Sequence, residues 1–278
     1  MKNHKRYVVF LTNFKLMVVQ TNPNLLEMFN VANGFANIGK MEIIPSGDIA
    51  AVQNWPEPLL YAINDKTVKE GVTGVNLEFY KLKTGQVHYS HFFGGVQQLD
   101  IFLNPKGHQV LMRLHKYVDE SGESYYGKNS LYLMHLNEKK LNQVACVKGP
   151  IYDVKWNPNG ESFAVCSGMM PSFTTVYDNK AEPFLVVLKD KKNTLFWSPN
   201  GEFIAIAGFG NLTGEIQIWN VTTKKLLGKC THADAGDLEW APDGRHFVTK
   251  VEFKFLREGN QYRVRFFDSR STTITVLW

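Results

Sequence analysis

Three cysteines, Cys146, Cys166 and Cys230, are spread over 278 residues. None stands in a C-x-x-C or other metal-ligand spacing, and so small an odd number excludes a disulfide framework. They read as buried free thiols in a reducing compartment. Long apolar runs are also lacking: no stretch approaches the roughly 20 residues that a membrane span needs. The N-terminal MKNHKRYVVFLTNFKLMVVQ has the outline of a signal peptide, but Thr12, Asn13 and Lys15 interrupt its apolar run. The expectation is a soluble, cytoplasmic protein with no membrane partner. A large excess of one charge is missing too, since the formal net charge of +5 suits an anionic partner and an ordinary soluble surface equally.

Catalytic signatures are absent as well. There is no Gly-x-Ser-x-Gly elbow, no phosphate-cradling G-x-x-x-x-G-K-[ST] and no H-E-x-x-H. His88 and His91 lie three residues apart on an expected strand, so they project to opposite faces and cannot chelate one metal. Gly208-Phe-Gly210-Asn211 joins two expected strands without a following helix, which makes it a turn rather than a nucleotide loop. No cofactor, no metal site and no enzymatic activity are expected, and a propeller hydrolase finds no nucleophile constellation. No segment shows a persuasive 3.6-residue period, while β-branched and aromatic residues are abundant throughout.

What the chain does have is a repeat. Trp156-Asn-Pro158-Asn-Gly160 returns as Trp197-Ser-Pro199-Asn-Gly201 and Trp240-Ala-Pro242-Asp-Gly244, with weaker copies at Leu103-Asn-Pro105-Lys-Gly107 and Ile43-Ile-Pro45-Ser-Gly47. The glycines are spaced by 60, 53, 41 and 43 residues, and a four-stranded propeller blade repeats about every 40–45 residues, more with an insertion. Proline cannot donate to a ladder, so it sits where the first strand of a blade ends; glycine two residues on takes the positive φ of a tight turn. The tryptophan before them is available to pack between neighbouring blades.

The expected architecture is therefore all-β: one β-propeller domain over 1–278, with a partial blade at 1–37 and full four-stranded antiparallel blades at 38–95, 96–148, 149–190, 191–232 and 233–278. Residues 1–37 read as a blade missing its first strand. A strand from Ile38 into Ile44 opens the next blade, and WPEPLLYAINDKTVKEGVTG is an insertion within it. Asp100, Asp153 and Asp237 stand three residues before the tryptophan slot, where Thr194 takes the place in one repeat. They either bond backbone at the inner end of the first strand or form a ring of channel-facing carboxylates for a cation. Arg263 and Arg265 share a strand face, as an exposed edge or paired with acids on the neighbouring strand.

With strands lettered a to d, the a-to-b and c-to-d turns share one end of a blade, and the b-to-c and d-to-a loops share the other. The insertions are b-to-c loops, and insertions concentrated on one face often mark the binding face. That end carries Lys116, Lys128, Lys148, Lys189, Lys191, Lys192, Lys254 and Arg257, with Tyr125 and Tyr126 interleaved. Cations that contact phosphate and rings on which bases stack are what single-stranded or loop RNA needs. Asp119, Glu120, Glu123, Asp190 and Glu258 share the same loops, so a mixed solvated surface is the alternative.

SYYG at 124–127, GPIYDV at 149–154, Met170-Pro171 and AGFGNL at 207–212 resemble consecutive blades of the eukaryotic translation initiation factor 2A family. The resemblance is strong over about 121–250 and weak before about 95. It implies a cytosolic WD-repeat-like propeller that binds the small ribosomal subunit, through rRNA and ribosomal proteins, and assists delivery of initiator tRNA, with mRNA as a further partner. By that pattern the chain is a short or truncated member, without the upstream blades and basic C-terminal extension of the family. KVEFKFLREGNQYRV also departs from the family's Pro-Arg-Leu-Arg-Val pattern. A general protein-interaction scaffold, closer to the propeller-bearing component of initiation factor 3, is the alternative.

Overall fold

A computed structural model describes residues 8–11, 16–22, 25–31, 33–42, 49–52, 59–81, 84–116, 128–145, 148–251, 261–268 and 273–276. Among these residues every regular element is a strand, and the strands form six four-stranded sheets, each an antiparallel meander in chain order. The chain divides into two compact units, Met1–Gln143 and Val144–Trp278.

The first unit holds the sheet β1 (Val8–Leu11), β2 (Leu16–Asn22), β3 (Leu25–Asn30) and β4 (Ala36–Glu42), followed by β5 (Ile49–Val52), β6 (Leu59–Lys69), β7 (Val72–Lys81) and β8 (Val87–Gly94). Its third sheet is β9 (Gln98–Leu103), β10 (Gln109–Lys116), β11 (Lys128–His135) and β12 (Lys140–Val144). Leu59, Ile63, Leu77 and Phe79 of the second sheet and Leu99, Val110, Met112 and Met134 of the third close one apolar core.

The all-β reading with four-stranded blades holds, and the N-terminal boundaries shift. Ala36–Glu42 does not open a second blade: it closes the first, with Leu25 opposite Glu42 and Leu26 opposite Met41. The N-terminal blade is thereby a full sheet of four strands. Its third and fourth strands are joined through Gly34 and Phe35, both at positive φ. Nor is 55–74 a loop insertion throughout, since Leu59–Lys69 pairs, across a register shift between Asn64 and Thr67, with Val72–Lys81 as a hairpin turning at Glu70-Gly71. Ile43-Ile-Pro45-Ser-Gly47 lies outside the described residues apart from its flanks.

The second unit holds β13 (Ile151–Trp156), β14 (Ser162–Ser167), β15 (Ser172–Asp178) and β16 (Pro183–Asp190), followed by β17 (Thr194–Trp197), β18 (Phe203–Ala207), β19 (Glu215–Asn220) and β20 (Lys225–Thr231). The last sheet is β21 (Asp237–Trp240), β22 (His246–Val251), β23 (Gln261–Asp268) and β24 (Thr273–Val276). Strand β18 shows why its sequence, FIAIA, has no polar residue. Ile204 and Ile206 face the preceding sheet while Phe203, Ala205 and Ala207 face the following one, so both faces are buried.

The recurring turn is built alike in its three tryptophan-bearing copies. The residue between aromatic and proline receives the amide of the glycine: Gly160 N–H donates to Asn157 O at 2.8 Å, Gly201 to Ser198 O at 2.9 Å and Gly244 to Ala241 O at 3.0 Å. All three glycines have φ between 65° and 71°, the left-handed region that glycine enters without penalty. The prolines Pro158, Pro199 and Pro242 are exposed. The tryptophans tie one sheet to the one before it: Trp197 Nε1 donates to Lys155 O and Trp240 Nε1 to Phe196 O, each at 3.2 Å. Trp156 and Trp240 also pack on Phe163 and Phe247 of their own sheets, with ring centroids 5.2 and 5.3 Å apart.

Candidate functional site

Within the second unit the b-to-c loop Gly168–Pro171 is clasped by two d-to-a linkers. On one side Gly168 N–H donates to Pro150 O at 2.9 Å, and a Cβ on Gly149 would lie 2.9 Å from the Met169 nitrogen. On the other, Ser172 Oγ donates to Asp190 O at 3.0 Å, and its hydroxyl also faces Lys192 O at 2.5 Å. The next b-to-c loop leans on the same linker: a Cβ on Gly208 would lie 2.2 Å from Lys191 O. Asn193 clamps that loop, with Oδ1 accepting from Phe209 N–H at 2.9 Å and Nδ2 donating to Phe209 O at 3.0 Å. Gly208–Asn211 is thus a packed turn, as its sequence suggested.

This clasp brings Lys148, Lys189 and Lys191 to one end of the unit, all exposed. Among the described residues none of the three has an acidic partner. Lys192 is different and corrects the sequence reading. Its side chain is only 2% exposed and its Nζ meets Glu215 Oε1 at 2.8 Å and Asp190 Oδ2 at 3.7 Å. Glu215 also accepts from Gln217 Nε2 at 2.9 Å. The hydrogen bonds of Lys192 and Gln217 hold its carboxyl below the usual range. Asp190 and Glu215 are therefore occupied by a buried lysine, and the exposed lysines beside them keep their charge for solvent or a partner. Glu215 opens a strand two residues before Gln217, and that same-face spacing was the signal the sequence offered for it.

In the first unit Lys116 is half-buried at the end of β10, with its Nζ over Gly95. It stands opposite Lys128 across the β10–β11 ladder, whose side chain lies outside the description. Tyr125, Tyr126, Lys254 and Arg257 lie outside the described residues.

The aspartates before the tryptophan slot divide. Asp153 accepts from Leu195 N–H of the next sheet and from its neighbour Val154 N–H, each at 2.9 Å. Asp237 accepts from Leu238 N–H at 2.9 Å and pairs with Lys250 Nζ at 2.9 Å. Asp100 instead takes Arg113 Nε at 2.9 Å, His115 Nε2 at 3.0 Å and Gln98 Nε2 at 2.9 Å. Burial works against its ionised form, and these donors together hold the carboxyl well below the usual carboxylate range. His88 and His91 do project apart: His88 Nε2 lies 3.2 Å from Leu136 O, while His91 rests between the rings of Tyr89 and Phe93.

Arg265 is no exposed edge, and among the described residues it has no acidic partner. It is fully buried; Nη1 reaches Thr249 Oγ1 and Nη2 donates to Thr231 O at 3.3 Å. The same Thr249 hydroxyl lies 2.7 Å from Nδ1 of buried His232. Burial and the guanidinium charges of Arg263 and Arg265 lower the His232 pKa to about 4. Cys166 is buried, its thiol pushed up by burial, and Cys230 is half-buried; both are free. Cys146 lies outside the described residues.

A family profile for eukaryotic translation initiation factor eIF2A matches residues 91–271. The chain belongs to this family. Eukaryotic translation initiation factor 2A of Dictyostelium discoideum is 32% identical over 232 residues, 83% of this chain and 37% of that protein. One component of eukaryotic translation initiation factor 3 from Xenopus laevis is 32% identical over 144 residues, 50% of this chain and 21% of that protein. The chain thus spans well under half the length of these relatives. The crystal structure of a eukaryotic initiation factor superposes with a TM-score of 0.81 at 21% identity, over 98% of this chain and 64% of that one. The C-terminal WD40 domain of Sif2 superposes with a TM-score of 0.60 at 10% identity, over 97% of this chain and 69% of that one. With six four-stranded meanders, these likenesses make the fold of this family member a β-propeller. Among the described residues no helix is long and apolar enough to cross a membrane.

Proposed function

We propose that this chain is a non-catalytic propeller module of cytoplasmic translation initiation that docks on the small ribosomal subunit, contacting rRNA and ribosomal proteins, and assists initiator tRNA delivery with mRNA nearby. The observation that carries the reading is the trio Lys148, Lys189 and Lys191, exposed and, among the described residues, without acidic partners on the loop-bearing end of an eIF2A-family propeller. The sheets supply rigidity, the end of β16 and the two linkers present the exposed lysines, and each phosphate contact releases condensed counterions.

Co-sedimentation of the purified chain with small ribosomal subunits at about 50 and 200 mM salt tests this. Association that weakens as salt rises is expected. No association at the lower salt would overturn the reading. The likeness to a component of initiation factor 3 supports a second one, a scaffold whose loop-bearing end binds proteins; association that survives nuclease and varies little with salt selects it.

A further inference from the structure

The loop between the two lysine-bearing linkers is not polar. Met169 is 55% exposed and Met170 39%, and Pro171 beside them is exposed as well. Their backbone is fixed on both sides, by Gly168 on Pro150 and by Ser172 on Asp190 and Lys192. The thioethers therefore form a held apolar knob, not a loose tip. Lys148 flanks it through Gly149, and Lys189 and Lys191 flank it across the β15–β16 register, where Ser172 stands opposite Asp190. The nearby acids Asp190 and Glu215 are engaged by buried Lys192.

From this arrangement we infer that the Met169–Met170 knob and its lysine rim form a docking site for an acidic, amphipathic peptide segment of a protein partner. The occupant follows from complementarity. Flexible, polarisable methionines adapt to large apolar side chains, while three exposed cations, without an acidic partner among the described residues, select Asp and Glu around them. RNA matches the rim but not the centre, because 148–150, 168–172 and 189–193 contain no aromatic ring on which a base could stack. The site goes beyond the ribosome-docking reading and does not depend on it.

Fluorescence anisotropy with a labelled peptide of about a dozen residues, rich in Asp and Glu with two leucines one helical turn apart, is the test. Oligouridine of equal length is the RNA probe. Saturable peptide binding is expected, weakened roughly 10- to 100-fold by M169S/M170S, which removes the two thioether contacts at the centre of the site. M169L/M170L should bind within about 3-fold of the parent, because leucine restores apolar volume. K148Q/K189Q/K191Q should weaken binding and flatten its salt dependence. Circular-dichroism melts of all variants should coincide with the parent, these side chains being exposed. Absence of saturable peptide binding, or peptide binding indifferent to M169S/M170S, overturns the inference. So does oligouridine binding more tightly than the peptide and falling in parallel with it in M169S/M170S. Association with small ribosomal subunits, measured on the same variants, separates this outcome from failure of the ribosome-docking reading.

Discussion

Two neighbouring lysines, Lys191 and Lys192, show how far residue type stands from residue role. Lys191 is exposed, whereas Lys192 is buried against Glu215 and Asp190. Removing one partner of a buried pair leaves an uncompensated charge, so K192A is expected to cost about 3 kcal/mol in urea unfolding. K191A should stay within about 0.5 kcal/mol of the parent. His232 makes the second residue-scale prediction. Its folded pKa is lowered from 6.5 to about 4, so between those values the unfolded chain binds the extra proton and stability falls as the pH drops. Above about pH 6.5 the effect vanishes; by pH 5 the loss is roughly 2 kcal/mol. Unfolding free energies at pH 7 and pH 5 check this, and H232N should lose less over the same interval because asparagine keeps a polar contact to Thr249 without a titrating ring.

At the scale of the element, the turns repeat their hydrogen bonds but not their surroundings. A Cβ on Gly201 would lie 2.1 Å from Asn157 Oδ1, inside an amide that donates to Gly201 O at 3.0 Å and holds two successive turns together. On Gly244 the nearest atoms would be those of Asn200 at 3.6 Å, ordinary contact. Both have positive φ, so G244A should cost about 1 kcal/mol from backbone strain alone, while G201A should exceed it by at least about 1 kcal/mol from the clash. Thermal or urea melts of the two variants side by side decide it. These turns were legible in the sequence because proline and glycine each impose a backbone conformation by themselves. Ala36–Glu42 and Leu59–Lys69 were misplaced because pairing is non-local: an alternating apolar segment reads the same as the first strand of one blade or the last of the blade before. Asn64, Asp65 and Lys66 made β6 look like a loop, although the ladder resumes beyond a register shift between Asn64 and Thr67.

For the whole molecule, the antiparallel connection order separates turns that build the blades from loops free to vary, and the sequence showed that partition in the insertion between β10 and β11 but not in 55–74, most of which is strand. It could not show which cations reach solvent, because burial of Lys192 and Arg265 depends on partners brought from other strands and sheets, Glu215 in one case and Thr231 and Thr249 in the other. A consequence of the partition is that charge should matter by location rather than by total. K148E/K189E/K191E reverses the cations at the b-to-c and d-to-a end of the second unit. K180E/K225E/R245E reverses three exposed cations on its c-to-d and a-to-b turns, with the same change in net charge. If docking on the small ribosomal subunit uses the first end, the former triple should abolish co-sedimentation at low salt. The wild-type salt slope should also be steeper than that of K148Q/K189Q/K191Q by about 2 log units per log unit of salt, the contribution of three phosphate contacts to single-stranded RNA. The latter triple should leave association within about 3-fold of wild type, since screening confines the influence of charges on a distant surface to about 10 Å at 0.1 M salt. Equal loss in both triples would make the attraction a property of net charge and remove the loop-bearing end from the mechanism.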